Sequence, residues 1–146
     1  MEFLTCVVAA EEDEYPEIAG SSSPLNAWSG IEMPGLDTAR LATLHSLLTG
    51  DSLQMALDLY EPVFVAEGDG ETLVLRIDGE LLEELALLDE EALENVAGEL
   101  AATEVYEHDG VEPDELQYTL AALGELAQLA ESQGQSLFVW IRLLQD

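Results

Sequence analysis

Thirty-two carboxylates share this chain with three arginines (Arg40, Arg76 and Arg142) and no lysine, for a formal net charge of −29. A chain that repels itself so strongly stays unfolded unless it buries a substantial apolar core. Hydrophobic residues fill 48 % of its 146 positions, and leucine is abundant. An ordered domain is therefore expected, not an acidic disordered tail. The length fits one domain, residues 1–146.

The same charge sorts partners. Binding to nucleic acid or to an anionic membrane needs Lys and Arg against phosphate, so neither is expected as a direct partner. Basic proteins are attracted instead. The single cysteine, Cys6, allows no intrachain disulfide and no thiolate metal cluster. Within its apolar run it is expected as a buried thiol. Glu2 stands where a signal peptide needs a positive charge, so a secretory leader is not expected and a cytoplasmic location is. No stretch approaches the ~20 apolar residues of a membrane span.

Along the chain, residues 3–10 are short, apolar and partly β-branched, the pattern of a buried first strand. Residues 11–36 read as a long loop: four acids at 11–14, then Pro16, then Gly, Ser, Pro and Asn around Trp28. Trp28 is expected in the core. A helix capped by Asp37 or Thr38 carries Leu41, Leu44 and Leu48 and ends at Gly50. A shorter helix starts at Asp51-Ser52, reaches Tyr60 and is stopped by Pro62. Residues 72–77 read as a strand after the turn at 68–70, with Phe64 and Val65 as its hairpin partner. Asp78 and Asp89 cap two further helices. Pro113 opens the last one, whose seam is Leu116, Leu120, Leu123, Ala127 and Ala130, with Gly134 just past its end. Residues 136–142 close the chain as a buried strand. Helices grouped on a small sheet make the class α+β, with about five helices packed on an N-terminal strand, a central strand or hairpin and a C-terminal strand.

The segment Leu44-His45-Ser46-Leu47-Leu48-Thr49-Gly50 resembles the Leu-His-x-Leu-Leu-Thr-Gly segment of the YfbM-like family, a bacterial domain of unknown function. The later order is also similar: Leu81 to Leu88, Leu93 to Ala101, Glu104-Val105-Tyr106, a turn at Gly110, a long helix, and Gln133 to Ile141 as the closing strand. Ala102-Thr103-Glu104 resembles related actinobacterial hypothetical proteins that carry Thr-Glu-Glu there. The resemblance spans roughly residues 36–142; the loop before it departs from the family. It implies a fold and supplies no activity or catalytic residues. By analogy, some small acidic bacterial proteins serve as immunity partners of toxins.

No constellation for catalysis emerges. Nucleophilic chemistry needs a base beside its nucleophile, normally His. His45 lies on an amphipathic helix without a partner signature, and a structural role is expected for it. His108 follows Glu104, where an inverted zinc-protease motif requires a second His. The turn at 68–70 lacks the lysine and spacing of a phosphate loop. With so many carboxylates, acid pairs say little. No enzyme activity, catalytic residue, metal site or cofactor is expected.

What needs explaining is the surplus of acid. A surface of mixed sign would serve solubility with less self-repulsion. The reading drawn from it is an acidic immunity or inhibitor protein that neutralises a basic partner such as a bacterial toxin. Its candidate contact residues are Glu11, Glu12, Asp13, Glu14, Trp28, Glu83, Glu84, Glu90 and Glu91. The alternatives are an uncharacterised housekeeping domain, a domain adapted to high salt or, after these, a small-ligand enzyme.

Overall fold

The first and last strands expected from the sequence pair with each other. A computed structural model describes residues 3–21, 24–33, 36–66, 71–107 and 112–143. In it β1 (Phe3–Ala10) runs antiparallel to β5 (Ser136–Leu143) along its whole length, from Phe3↔Leu143 to Ala10↔Ser136. β4 (Thr72–Arg76) takes the other edge of β5, with Val74 opposite Trp140. Outside these lie β3 (Phe64–Ala66) against β4 and β2 (Ser29–Glu32) against β1. The antiparallel sheet has the order β2-β1-β5-β4-β3.

Residues 137–141 of β5 are all buried. A strand covered on both faces reads as a continuous apolar run rather than an alternation, and its side chains divide between two cores by the period of two. Leu137, Val139 and Ile141 join Val7, Ala9 and Leu75 under the helices. Phe138 and Trp140 join Cys6, Val8 and Val74 on the opposite face.

The helices begin where short polar side chains can satisfy free backbone N–H groups. In α2 (Thr38–Thr49) the Asp37 carboxylate accepts from the Arg40 N–H at 2.9 Å. In α3 (Leu53–Leu59) the Ser52 hydroxyl accepts from the Met55 N–H at 3.2 Å. Asp78 and Asp89 do the same for α4 (Gly79–Ala86) and α5 (Glu90–Ala101). Each such cap stabilises by about 1 kcal/mol. After a single turn, α6 (Glu104–Glu107), comes α7 (Pro113–Gln133), opened by Pro113 and closed by Gly134 at φ 67°. The expected seam of α7 is buried, and the helix lies across β1, β2 and β5 and against α4 and α5. A Cβ on Gly124 would stand 3.1 Å from the Leu85 carbonyl oxygen, so α7 and α4 cross closely there. Among the described residues, no helix is long and apolar enough to cross a membrane.

The described residues among 11–36 form more regular structure than the loop expected from their composition. They hold a 3-10 turn at 12–14, α1 (Tyr15–Gly20), a second 3-10 turn at 24–26, and β2. The elements are too short for hydrophobic periodicity to register. Their order comes from burial: Ile18, Ala19, Tyr15, Leu25 and Trp28 cover the second face of the sheet. The expected turn at 68–70 and His108 lie outside the described residues.

Candidate functional site

Three surfaces or clusters are candidates. The first is polar and internal. His45, on the buried face of α2, is fully enclosed. Its Nδ1 lies 2.9 Å from the Tyr60 hydroxyl and its Nε2 2.8 Å from the Asp51 carboxylate. The backbone N–H of Asp78 donates to the same Tyr60 oxygen at 3.3 Å. One imidazole proton placed on Nε2 satisfies every member: Nε2–H donates to Asp51, and Tyr60 donates to Nδ1 while accepting from Asp78. Burial, with Asp51 and Asp78 nearby, pushes the Tyr60 phenol well above its ordinary range, so it remains a donor. The turn holding Asp51 is fixed as well. Ser46 donates to the Asp51 carbonyl at 2.6 Å, and the Asp51 N–H donates to the Thr49 hydroxyl at 3.2 Å.

His45, Asp51 and Glu80 also offer three potential ligand atoms within 4.8 Å of one another. A cation on Nε2 would move the imidazole proton to Nδ1 and deprive the buried Tyr60 O–H of its acceptor. Such an orphaned donor costs about 1–3 kcal/mol. The network is complete as a hydrogen-bonded unit, and it pins the junction of α2, α3 and α4.

The second candidate is the acidic surface. Glu83 and Glu84 on α4 and Glu90 and Glu91 in the first turn of α5 flank one helix–helix corner. Leu87 protrudes from that corner, 76 % exposed. α5 continues the acidic surface with exposed Glu94 and Glu99, and the start of α7 with exposed Asp114 and Glu115. Between Arg76 and Arg142 the chain has no Lys or Arg, so α4 to α7 present carboxylates without a cation of their own.

Glu11, Glu12, Asp13, Glu14 and Trp28 belong elsewhere, on the segment covering the opposite face of the sheet. The nine candidate residues therefore form two groups, not one site. Two members of the second group serve the fold. Glu14 accepts the Glu11 N–H at 2.8 Å through one oxygen and the Trp28 indole N–H at 3.2 Å through the other. Glu12 pairs with Arg76 at 2.9 Å. Glu11, Asp13 and Tyr15 line a shallow open hollow beside them.

The third candidate was not legible as a site in the sequence. α3 buries only Ala56. Leu53, Met55, Leu57 and Leu59 are 38–58 % exposed, and Val63 and Val65, next along the chain, are 41 % and 46 % exposed. The periodic pattern announces a helix here, but which face lacks cover depends on where α2 and the sheet end.

No family model matches the chain, and no curated protein does. Among solved structures it is similar to the crystal structure of a protein of unknown function, YfbM from Escherichia coli. The identity is 14 %, the coverage 96 % of this chain and 99 % of that one, and the TM-score 0.44. That similarity assigns neither a site nor an activity to this chain.

Proposed function

We propose that this chain binds and neutralises a strongly basic protein, in the manner of an immunity or inhibitor protein acting on a bacterial toxin. The observation that carries the reading is the stretch from Ile77 to Ile141, which has no Lys or Arg and sets Glu83, Glu84, Glu90 and Glu91 around one helix corner. Opposite fields of this kind speed encounter by up to ~10³-fold and penalise partners of the wrong sign. Leu87, between the two helices that carry these carboxylates, offers an exposed apolar contact, and interfaces commonly join apolar contacts to a polar rim.

The test is affinity capture from the source organism at low ionic strength, followed by association kinetics with the captured basic protein. The on-rate should fall steeply with added salt. It should also fall when Glu83, Glu84, Glu90 and Glu91 are together changed to Lys. A captured partner whose on-rate ignores both salt and charge reversal defeats the proposal, as does the absence of any basic partner.

A further inference from the structure

We infer that the strip formed by α3 and β3 seats an apolar segment, flanked by Lys or Arg, of a cationic protein. This rests on the basic-partner reading above and names a second contact surface for it. Six of the nine large apolar side chains exposed among the described residues fall within residues 53–65. Isolated exposed apolar residues are ordinary, whereas a concentration of them marks an interaction surface.

On α3, Leu53 and Leu57 stand one helical turn apart on one flank and Met55 and Leu59 on the other, either side of the buried Ala56. Ala56 and Tyr60 anchor α3 in the helix-side core. Val65 stands opposite Leu73, which packs against that same core, and directly paired residues of an antiparallel ladder point the same way. Phe64, between the two valines, turns to the opposite face and meets Tyr15. Val63 and Val65 therefore emerge on the α3 side of the sheet. β3 is the last strand in the order, so its outer edge has no strand partner among the described residues. Tyr60 holds the middle of the strip through its hydroxyl bonds to His45 and Asp78, so the surface is pre-organised.

The rim identifies the occupant. Asp58 and Glu61 are exposed within the strip itself. Asp51 leads into α3, and the carboxylate of Glu80 lies within 4.8 Å of the Asp51 and His45 ligand atoms. A second copy of the chain would bring a net charge of −29 against the same charge and be repelled. A cationic protein is attracted, and its apolar residues find an uncovered apolar surface between carboxylates. Met55 adds an adaptable contact suited to irregular apolar partners.

The probe is a fluorescent peptide of alternating leucine and lysine, compared by anisotropy with an alternating serine–lysine peptide of equal length and charge. The leucine peptide should bind at least about tenfold tighter. The double variant Met55→Ser, Leu59→Ser changes exposed positions only, and a circular-dichroism melt verifies its fold. It should erase the preference while leaving the serine peptide's affinity unchanged. Glu83→Lys with Glu90→Lys should weaken both peptides alike. Equal affinities for the two peptides, or a preference that survives the serine variants, overturns the inference and leaves the charge-driven reading standing. Binding of neither peptide by the unaltered chain overturns both. A dimer in sedimentation equilibrium that Met55→Ser, Leu59→Ser disperses would give the strip to a second copy and overturn it as well.

Discussion

The Tyr60 hydroxyl lies 2.9 Å from Nδ1 of the buried His45, so one hydrogen bond ties the end of α3 to the middle of α2. Tyr60→Phe keeps the ring and its edge-on contact with the imidazole. It leaves Nδ1 and the Asp78 N–H without their partner. The expected loss is about 1–3 kcal/mol in urea unfolding. Faster amide exchange across residues 53–65 should accompany it, since Tyr60 anchors that segment. Unchanged stability would mean that water replaces the hydroxyl and that the pin is dispensable.

Gly30 lets β2 approach β1. A Cβ there would stand 2.4 Å from the Val7 carbonyl oxygen and 2.8 Å from side-chain carbons of Leu25 and Val8. Two of these neighbours are packed and the third is backbone, so little can yield. Gly30→Ala should destabilise by about 1–3 kcal/mol, the usual cost of overpacking, with increased proteolysis near residues 29–32. Gly20, whose Cβ would meet nothing within 4 Å, is the control. Gly20→Ala should leave the melting temperature nearly unmoved.

Alkaline pH should expose the thiol of Cys6. Burial, reinforced by the charge of Glu32, pushes it from 9.0 up to about 11. Below the unfolded value both states hold the proton and the full contribution is present. As pH rises from about 9 to about 11, the unfolded chain releases the proton and the folded chain keeps it, so stability falls. Tyr106, pushed up to about 12 by burial against the opposing effect of Arg40, adds a further loss at higher pH. In urea titrations Cys6→Ala should flatten the first part of this decline. The native thiol should also resist alkylation until the protein is unfolded.

Added salt separates the binding reading from adaptation to high salt. Self-repulsion among exposed carboxylates is screened once the Debye length shrinks to about 10 Å, near 0.1 M. The chain should thus be folded in dilute buffer and gain melting temperature mainly below about 0.5 M salt. A chain poorly folded in dilute buffer, with stability still climbing beyond about 1 M, would instead favour the salt-adapted alternative.

Much of the helix layer was legible because its signals are local. Asp37, Ser52, Asp78 and Asp89 each cap the helix they precede, and Gly50 and Gly134 adopt the left-handed conformation that ends one. The seam of α7 and the apolar run of β5 reported burial directly. β2 escaped notice because its four residues, Ser-Gly-Ile-Glu, have no strand pattern of their own and are ordered by pairing with β1. α1 escaped for a similar reason, since only the second sheet face gives its residues a place to bury. The sites were harder. Residues 45, 51 and 60 meet through tertiary structure, and nothing in their spacing announces the meeting. The acids of 11–14 and of 83–91 look alike as sequence, yet the fold gives Glu14 the Glu11 and Trp28 N–H groups and Glu12 an exposed ion pair with Arg76.

The placement of β5 between β1 and β4 also governs when this protein can form. During synthesis, Val7, Val8 and Val74 must wait for a neighbour that emerges only with residues 136–143. Until then the nascent sheet exists as separated apolar pieces attached to mutually repelling acidic helices. Maturation is therefore a late event dominated by distant pairings, which slows folding. An interruption of translation shortly before residue 136 should yield a chaperone-bound or degraded chain, not a smaller working version.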